Sequence, residues 1–197
     1  RHVQSCVLQK RACVALSNLA LNTENRVTIA ERGGVSAILN AMNKHPDSPR
    51  VQEVACNALA NLALDNVNNK ETIGKQGGVQ AVTTAMKNHP GVESLQKHAC
   101  TGLADLSTNA SNKARILRAA NGTQVVMDTM SRHFGSSVVQ EKSCVILANV
   151  ATIDADHTIC KSGGISSIVS AMEHHPNSVG VQSEGCWALQ ELSQLLC

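Results

Sequence analysis

Apolar residues along the chain recur at helical spacing, and one apolar phrase occurs five times. Val51, Val54, Ala55, Ala58, Leu59 and Leu62 follow one another at steps of three and four, which predicts a helix with one buried face. The phrase itself reads VACNALANLA at 54–63. It is matched by RACVALSNLA at 11–20, HACTGLADLS at 98–107, KSCVILANVA at 142–151 and EGCWALQELS at 184–193. Each copy places a leucine three residues after its cysteine. The five cysteines, Cys13, Cys56, Cys100, Cys144 and Cys186, lie 42 to 44 residues apart. Self-similarity at that period predicts stacked repeats rather than a globular core.

A second block lies between these phrases. Short helical patterns centred on Ile29, Ile73 and Ile159 run into the glycine pairs Gly33–Gly34, Gly77–Gly78 and Gly163–Gly164. Glycine adopts the left-handed conformation that closes a helix, and Asn121–Gly122 serves in the irregular third copy. A second helix follows at once. Val35, Ile38, Leu39 and Met42 make its apolar stripe, and Ile165, Ile168, Val169 and Met172 repeat it. Pro46, Pro90 and Pro176 stop it, with Phe134 in the third copy. Ser48 before Pro49 predicts an N-cap for the third helix, and Ser137 with Gln140 reads as a capping box. The expected organisation is a single solenoid over 1–197. Residues 1–20 hold a lone third helix, and 24–64, 67–107, 110–152 and 154–193 are full repeats.

Composition narrows the function. Net charge is +2 and aromatic residues are 1% of the chain, so neither a basic face nor stacking rings point to nucleic acid. No apolar run is long enough to span a bilayer, and no secretory leader is visible. Eight cysteines suggest disulfides, yet five hold one repeat position. Helices stacked about 8–10 Å apart put those five beyond the roughly 7 Å limit for a disulfide. They read as small buried hydrophobes in a reducing compartment, cytoplasmic or nuclear.

His45, His89, His133 and His175 form a column at the end of the second helix. One repeat of separation is too far for shared zinc, so they read as partners of the helix-terminal carbonyls. DADHTIC at 154–160 gathers Asp154, Asp156, His157 and Cys160. Acidic residues there suit a helix start, and no second ligand pair matches. No catalytic constellation, phosphate loop, metal site or cofactor is expected.

The three-helix period, the glycine pair and the ALxNLA ending resemble the armadillo repeat across essentially the whole chain. The resemblance implies an all-α right-handed superhelix of three-helix repeats, with third helices lining a concave groove. It also implies a non-catalytic interaction scaffold that takes an extended peptide or a helix of a protein partner. A structural spacer within a larger protein is the alternative, and a nuclear-import type of cargo receptor a minor one. In such receptors groove tryptophans and asparagines hold basic peptides. The tryptophan position carries Asn57 and Trp187 among other residues; the asparagine position carries Asn18, Asn61, Asp105, Asn149 and Glu191. These asparagines either brace neighbouring helices or bind peptide main chain. One turn back, Lys10, Glu53, Lys97, Glu141 and Ser183 alternate in sign, predicting attraction between adjacent repeats. Trp187 is the expected aromatic anchor. Five third helices about 10 Å apart give a track of roughly 40 Å, room for about a dozen extended residues. Val7, Leu8, Leu192, Leu195 and Leu196 lack a covering repeat, predicting continuation of the array or end-to-end association.

Overall fold

The computed structural model describes residues 5–119, 121–154 and 157–194. Among these residues thirteen α-helices follow one another without a strand. A lone helix, α1 (Cys6–Leu19), comes first. Then follow α2 (Thr23–Glu31), α3 (Gly34–Lys44) and α4 (Pro49–Ala63), and α5 (Val67–Lys75), α6 (Gly78–Asn88) and α7 (Glu93–Ser107). The next set is α8 (Ala110–Arg118), α9 (Gly122–Arg132) and α10 (Ser137–Ala151). The last is α11 (Thr158–Lys161), α12 (Gly164–His174) and α13 (Val179–Ser193). The sets stack into an all-α right-handed superhelix of armadillo type.

Local chemistry explains the boundaries. Asn22, Asn66 and Asn109 cap α2, α5 and α8 by accepting the backbone N–H three residues on. Ser48 does the same for α4, with Pro49 in the first turn. Gly33 has φ +82°, a backbone that L side chains rarely adopt. Gly34 is required for a different reason. A Cβ there would lie 2.7 Å from the Ile29 carbonyl oxygen, so only a bare backbone lets α3 leave α2 so sharply. Asn121 takes the left-handed role in the third set with φ 64°.

One cap reading is corrected. Helix α10 begins at Ser137, its N-cap is Ser136, and that side chain makes no capping hydrogen bond. Gln140 is turned inward, where it donates to the carbonyls of Met130 and His133. The S-x-x-Q spacing therefore marks a buried clamp rather than a capping box.

The closest packing is between consecutive third helices, α1 on α4, α4 on α7, α7 on α10 and α10 on α13. Their facing positions carry small residues. Cys56, Ala60 and Ala63 on α4, and Cys100, Ala104 and Ser107 on α7, are buried. Small side chains let the helix axes approach, which is why a core with so few aromatics can close. The cysteines at this seam are free thiols. Burial pushes Cys56, Cys100 and Cys144 up to about 12 and Cys13 to about 11. Cys186 departs from the expected burial and is exposed, because no described helix stacks beyond α13. Leu192, expected to be uncovered, is instead fully buried. Leu195, Leu196, Cys197 and Asp156 lie outside the described residues.

Candidate partner-binding face

The third helices present one row of side chains after another. Asn18 on α1 is exposed, while Asn61, Asp105 and Glu191 are half-buried at the equivalent places and Asn149 is buried. Asn57 and Trp187 are half-buried one turn earlier on α4 and α13. The geometry ties Asn61 and Asn149 to the preceding helix. Asn61 Nδ2 donates to the Ser17 carbonyl and lies 3.0 Å from the Ser17 hydroxyl. Asn149 Nδ2 donates to the Ser107 hydroxyl at 3.1 Å. These amides brace the stack.

Asp105 takes the asparagine place on α7. Burial raises its carboxyl above the ordinary range, against the opposing pull of Lys70 and Lys142. At the far end Trp187 Nε1 donates to Glu191 Oε1 at 3.1 Å, one helical turn away. Glu184 and Glu141 lie close to the same end. Both act electrostatically on Cys144, and Glu141 Oε2 occupies the space a Cβ at Gly180 would need. The exposed residues of α1, at the opposite end, include Lys10 and Arg11. The row thus runs from two cations at α1 to a tryptophan among carboxylates at α13.

The alternating charges do not pair between repeats. Lys97 binds Glu93 at 2.7 Å on its own helix, Glu141 binds its neighbour Lys142 at 2.6 Å, and Glu53 pairs loosely with Arg50 at 3.8 Å. Each partner lies within one turn of the same helix and is reached without crossing the seam, so the local pair wins.

Three hydrogen-bond ladders are not evident in the sequence, and only the histidine one crosses from repeat to repeat. Four residues before each cysteine stands a glutamine. Gln52, Gln96, Gln140 and Gln182 each donate to two carbonyls at the end of the preceding second helix. The column Gln9, Gln52, Gln96, Gln140, Gln182 was visible as a periodicity, but its partners were not. The histidine column also differs from expectation. The Nε2 of His89, His133 and His175 donates to Pro46, Pro90 and Phe134 carbonyls one repeat back, at 2.6–2.7 Å. Finally, cations sit at third-helix C-termini. Arg26 donates to the carbonyls of Ala20 and Leu64, Lys70 to the Thr108 hydroxyl and Lys113 to the Thr152 hydroxyl. They complement the negative end of each helix.

Asp154 is buried at the start of α11, where its carboxylate accepts the N–H groups of Thr158 and Ile159. Among the described residues no three metal-ligating side chains gather, and no helix is long and apolar enough to cross a membrane.

Known proteins agree with this geometry. The sequence profile described as LRRK2 ARM repeat matches residues 6–196. The chain belongs to the LRRK2 ARM repeat family. Within curated proteins, this armadillo chain is similar to Protein aardvark of Dictyostelium discoideum, 40% identical over 67 residues. That match takes in 32% of the chain and 9% of the aardvark protein. Among solved structures, an engineered protein is 27% identical with a TM-score of 0.79, covering 94% of this chain and 44% of its own. The chain therefore spans under half the length of either relative. A designed armadillo repeat protein in complex with the peptide (KR)4 has a TM-score of 0.77 at 18% identity, covering 99% of this chain and 88% of its own. At that identity it shows the armadillo fold alone.

Proposed function

We infer that this chain is a protein-interaction scaffold whose third-helix face holds an extended segment of a partner. The supporting observation is the graded row from Lys10 and Arg11 to Trp187, Glu184 and Glu191. An extended segment with a basic or neutral residue at the α13 end and an acidic one toward α1 matches both ends. Trp187 offers a π-face to a cation, and Glu191 holds the ring in place through its indole N–H. Asn57 and Asp105 lie between, and the half-buried Asn61 is the amide placed to meet main-chain amides and carbonyls. Lys97 and Glu141 contribute little net charge, since each is paired on its own helix. The designed armadillo relative in complex with (KR)4 supports peptide binding by this fold.

This reading includes four repeats, 24–64, 67–107, 110–152 and 154–193, after the partial repeat at 1–20. It assigns the chain no catalytic role and places it in a reducing compartment, cytoplasmic or nuclear, consistent with free buried thiols. A second reading, a structural spacer, draws on the bracing bonds of Asn61 and Asn149.

Because Trp187 is the sole tryptophan, its fluorescence reports on the α13 end directly. Titration with extended peptides of about a dozen residues, basic at one end and acidic at the other, is expected to shift its emission. Anisotropy with labelled peptide is expected to weaken at least about tenfold in Trp187→Ala and in Glu184→Gln/Glu191→Gln. Unchanged affinity in folded variants would place the site elsewhere, and no binding by any charge pattern would favour the spacer.

A further inference from the structure

Away from the third-helix face, the joint between α5–α6 and α8 opens into a cleft of about 560 Å³. It is lined in part by Lys75, Arg115, Arg118, Gln80, Ser111 and the bare backbone of Gly74, and no carboxylate lines it. The regular joint one repeat earlier shows what has changed. There the Ser36 hydroxyl donates to Gln76 Oε1 at 2.8 Å and ties the two repeats together. The equivalent positions here are Gln80 and Ala119, and the tie is lost. Gln80 turns back to Thr84 on its own helix. The cleft between α2 and α5 is only 140 Å³.

Charge changes at the same place. The positions of Lys75, Arg115 and Arg118 are held around the earlier joint by Glu31, Thr72 and Lys75, which sum to zero. At the open joint they sum to three positive charges. Glu71 neutralises part of this from one side, through its 2.6 Å pair with Lys75. Its carboxyl is held below the ordinary range by the hydrogen bond and charge of Lys75, with Arg115 adding to the pull. Arg115 Nη1 donates to Asn112 Oδ1, which aims its guanidinium and leaves further N–H groups for another acceptor.

We propose that this cleft binds a phosphate dianion, carried either by a small molecule or by a phosphorylated side chain of a partner. Two guanidinium groups offer parallel N–H pairs that suit phosphate oxygens, a lysine adds a point charge, and Ser111 and Gln80 supply neutral polar contacts. The volume lies within the range of small-ligand sites. No third-helix residue takes part, so this site and the peptide row fail or succeed separately.

The test is calorimetric titration of the whole chain at low ionic strength, using pyrophosphate and a phosphoserine peptide as probes. Saturable one-site binding is expected, weakened at least about tenfold in Lys75→Gln/Arg118→Gln. Lys161→Gln, which removes a cation at the equivalent place one repeat on, is expected to leave it unchanged. Arg115→Gln is read alongside its melting curve, since Arg115 also holds Asn112. Pyrophosphate binding alone identifies a small-molecule source. Tighter binding of the phosphopeptide, lost with its unphosphorylated form, identifies a modified partner. Absence of saturable binding by both probes overturns the proposal. So does equal loss in Lys161→Gln, or equal binding of an aspartate-substituted peptide.

Discussion

Helices α1 and α4 carry the same pattern and meet different fates. On α4, Val51, Ala55, Ala58 and Leu62 are fully buried, covered by α3 and α1. The same places on α1 are Leu8, Ala12, Ala15 and Leu19, and all four are exposed, Leu8 by 44% and Leu19 by 53%. The second helices repeat the contrast at the other end. Val35 and Leu39 of α3 are buried against the next repeat, whereas Ile165 and Val169 of α12 are 36% and 39% exposed. An amphipathic stripe thus states what a helix can bury; a neighbouring repeat decides whether it does. The ends are not alike in chemistry. At the outer seam of α13 the small residue of the internal repeats gives way to Gln190, a bulkier polar side chain, while α1 keeps its apolar outer face.

The largest expected contrast is in thiol reactivity. Cys100, buried and pushed up to about 12, is expected to resist alkylation by iodoacetamide at neutral pH until the chain unfolds. Cys186 and Cys6, both exposed, are expected to react orders of magnitude faster. Mass analysis over time reads this directly, and comparable rates would mean that the seam opens in the native state.

Side-chain truncation is the next scale. Leu62→Ala is expected to cost about 3 kcal/mol by chemical denaturation, and Leu19→Ala under about 1 kcal/mol. Equal losses would show that α1 is covered in solution, as end-to-end association requires. A concentration-dependent melting temperature would identify self-association as the cover.

Removing the glutamine clamp is expected to be smaller but unequal along the array. Gln96→Ala removes the side-chain donor from the buried Met86 carbonyl, while the His89 carbonyl keeps the Val92 N–H, and is expected to cost about 1–3 kcal/mol. Gln182→Ala, at a half-buried clamp near the end, is expected to cost less.

The smallest effect concerns Asp105. Its carboxyl titrates higher folded than unfolded, so the folded state holds the proton more tightly and this residue's contribution falls as pH rises through that window. Above the window the half-buried charge is a net cost. Asp105→Asn is therefore expected to raise the melting temperature slightly at neutral pH and to flatten the acid side of the stability profile. A lower melting temperature at neutral pH would show that attraction by Lys70 and Lys142 outweighs desolvation.

Much of the fold was legible because its signals are local. The Gly33–Gly34 pair, the Ser48–Pro49 start and the Val35-to-Met42 stripe each act within a few residues. The candidate face was legible as columns, since a repeat of 42 to 44 residues returns equivalent positions to the same side. The charge ladder misled because sequence columns suggest neighbours across the seam, whereas Lys97 and Glu93 meet within one turn. Gln140 misled because a capping spacing and a clamp spacing look the same until the side chain's direction is known.

By itself the sequence determined the period, the three helix types, the glycine-pair and Ser48–Pro49 boundaries and the small residues at the seam. These follow from backbone preferences and apolar spacing, which a short stretch of chain already contains. Only the tertiary structure decided which carbonyls the glutamines and histidines bind, how the Asn61 and Asn149 donors are engaged, and which stripes stay bare. It alone revealed the cleft beside Arg115 and Arg118. The glutamine clamps turn on which way one side chain points, 7 to 10 residues from its partners. The others depend on a group about one repeat away in sequence, and a single position carries no record of it until the helices stack.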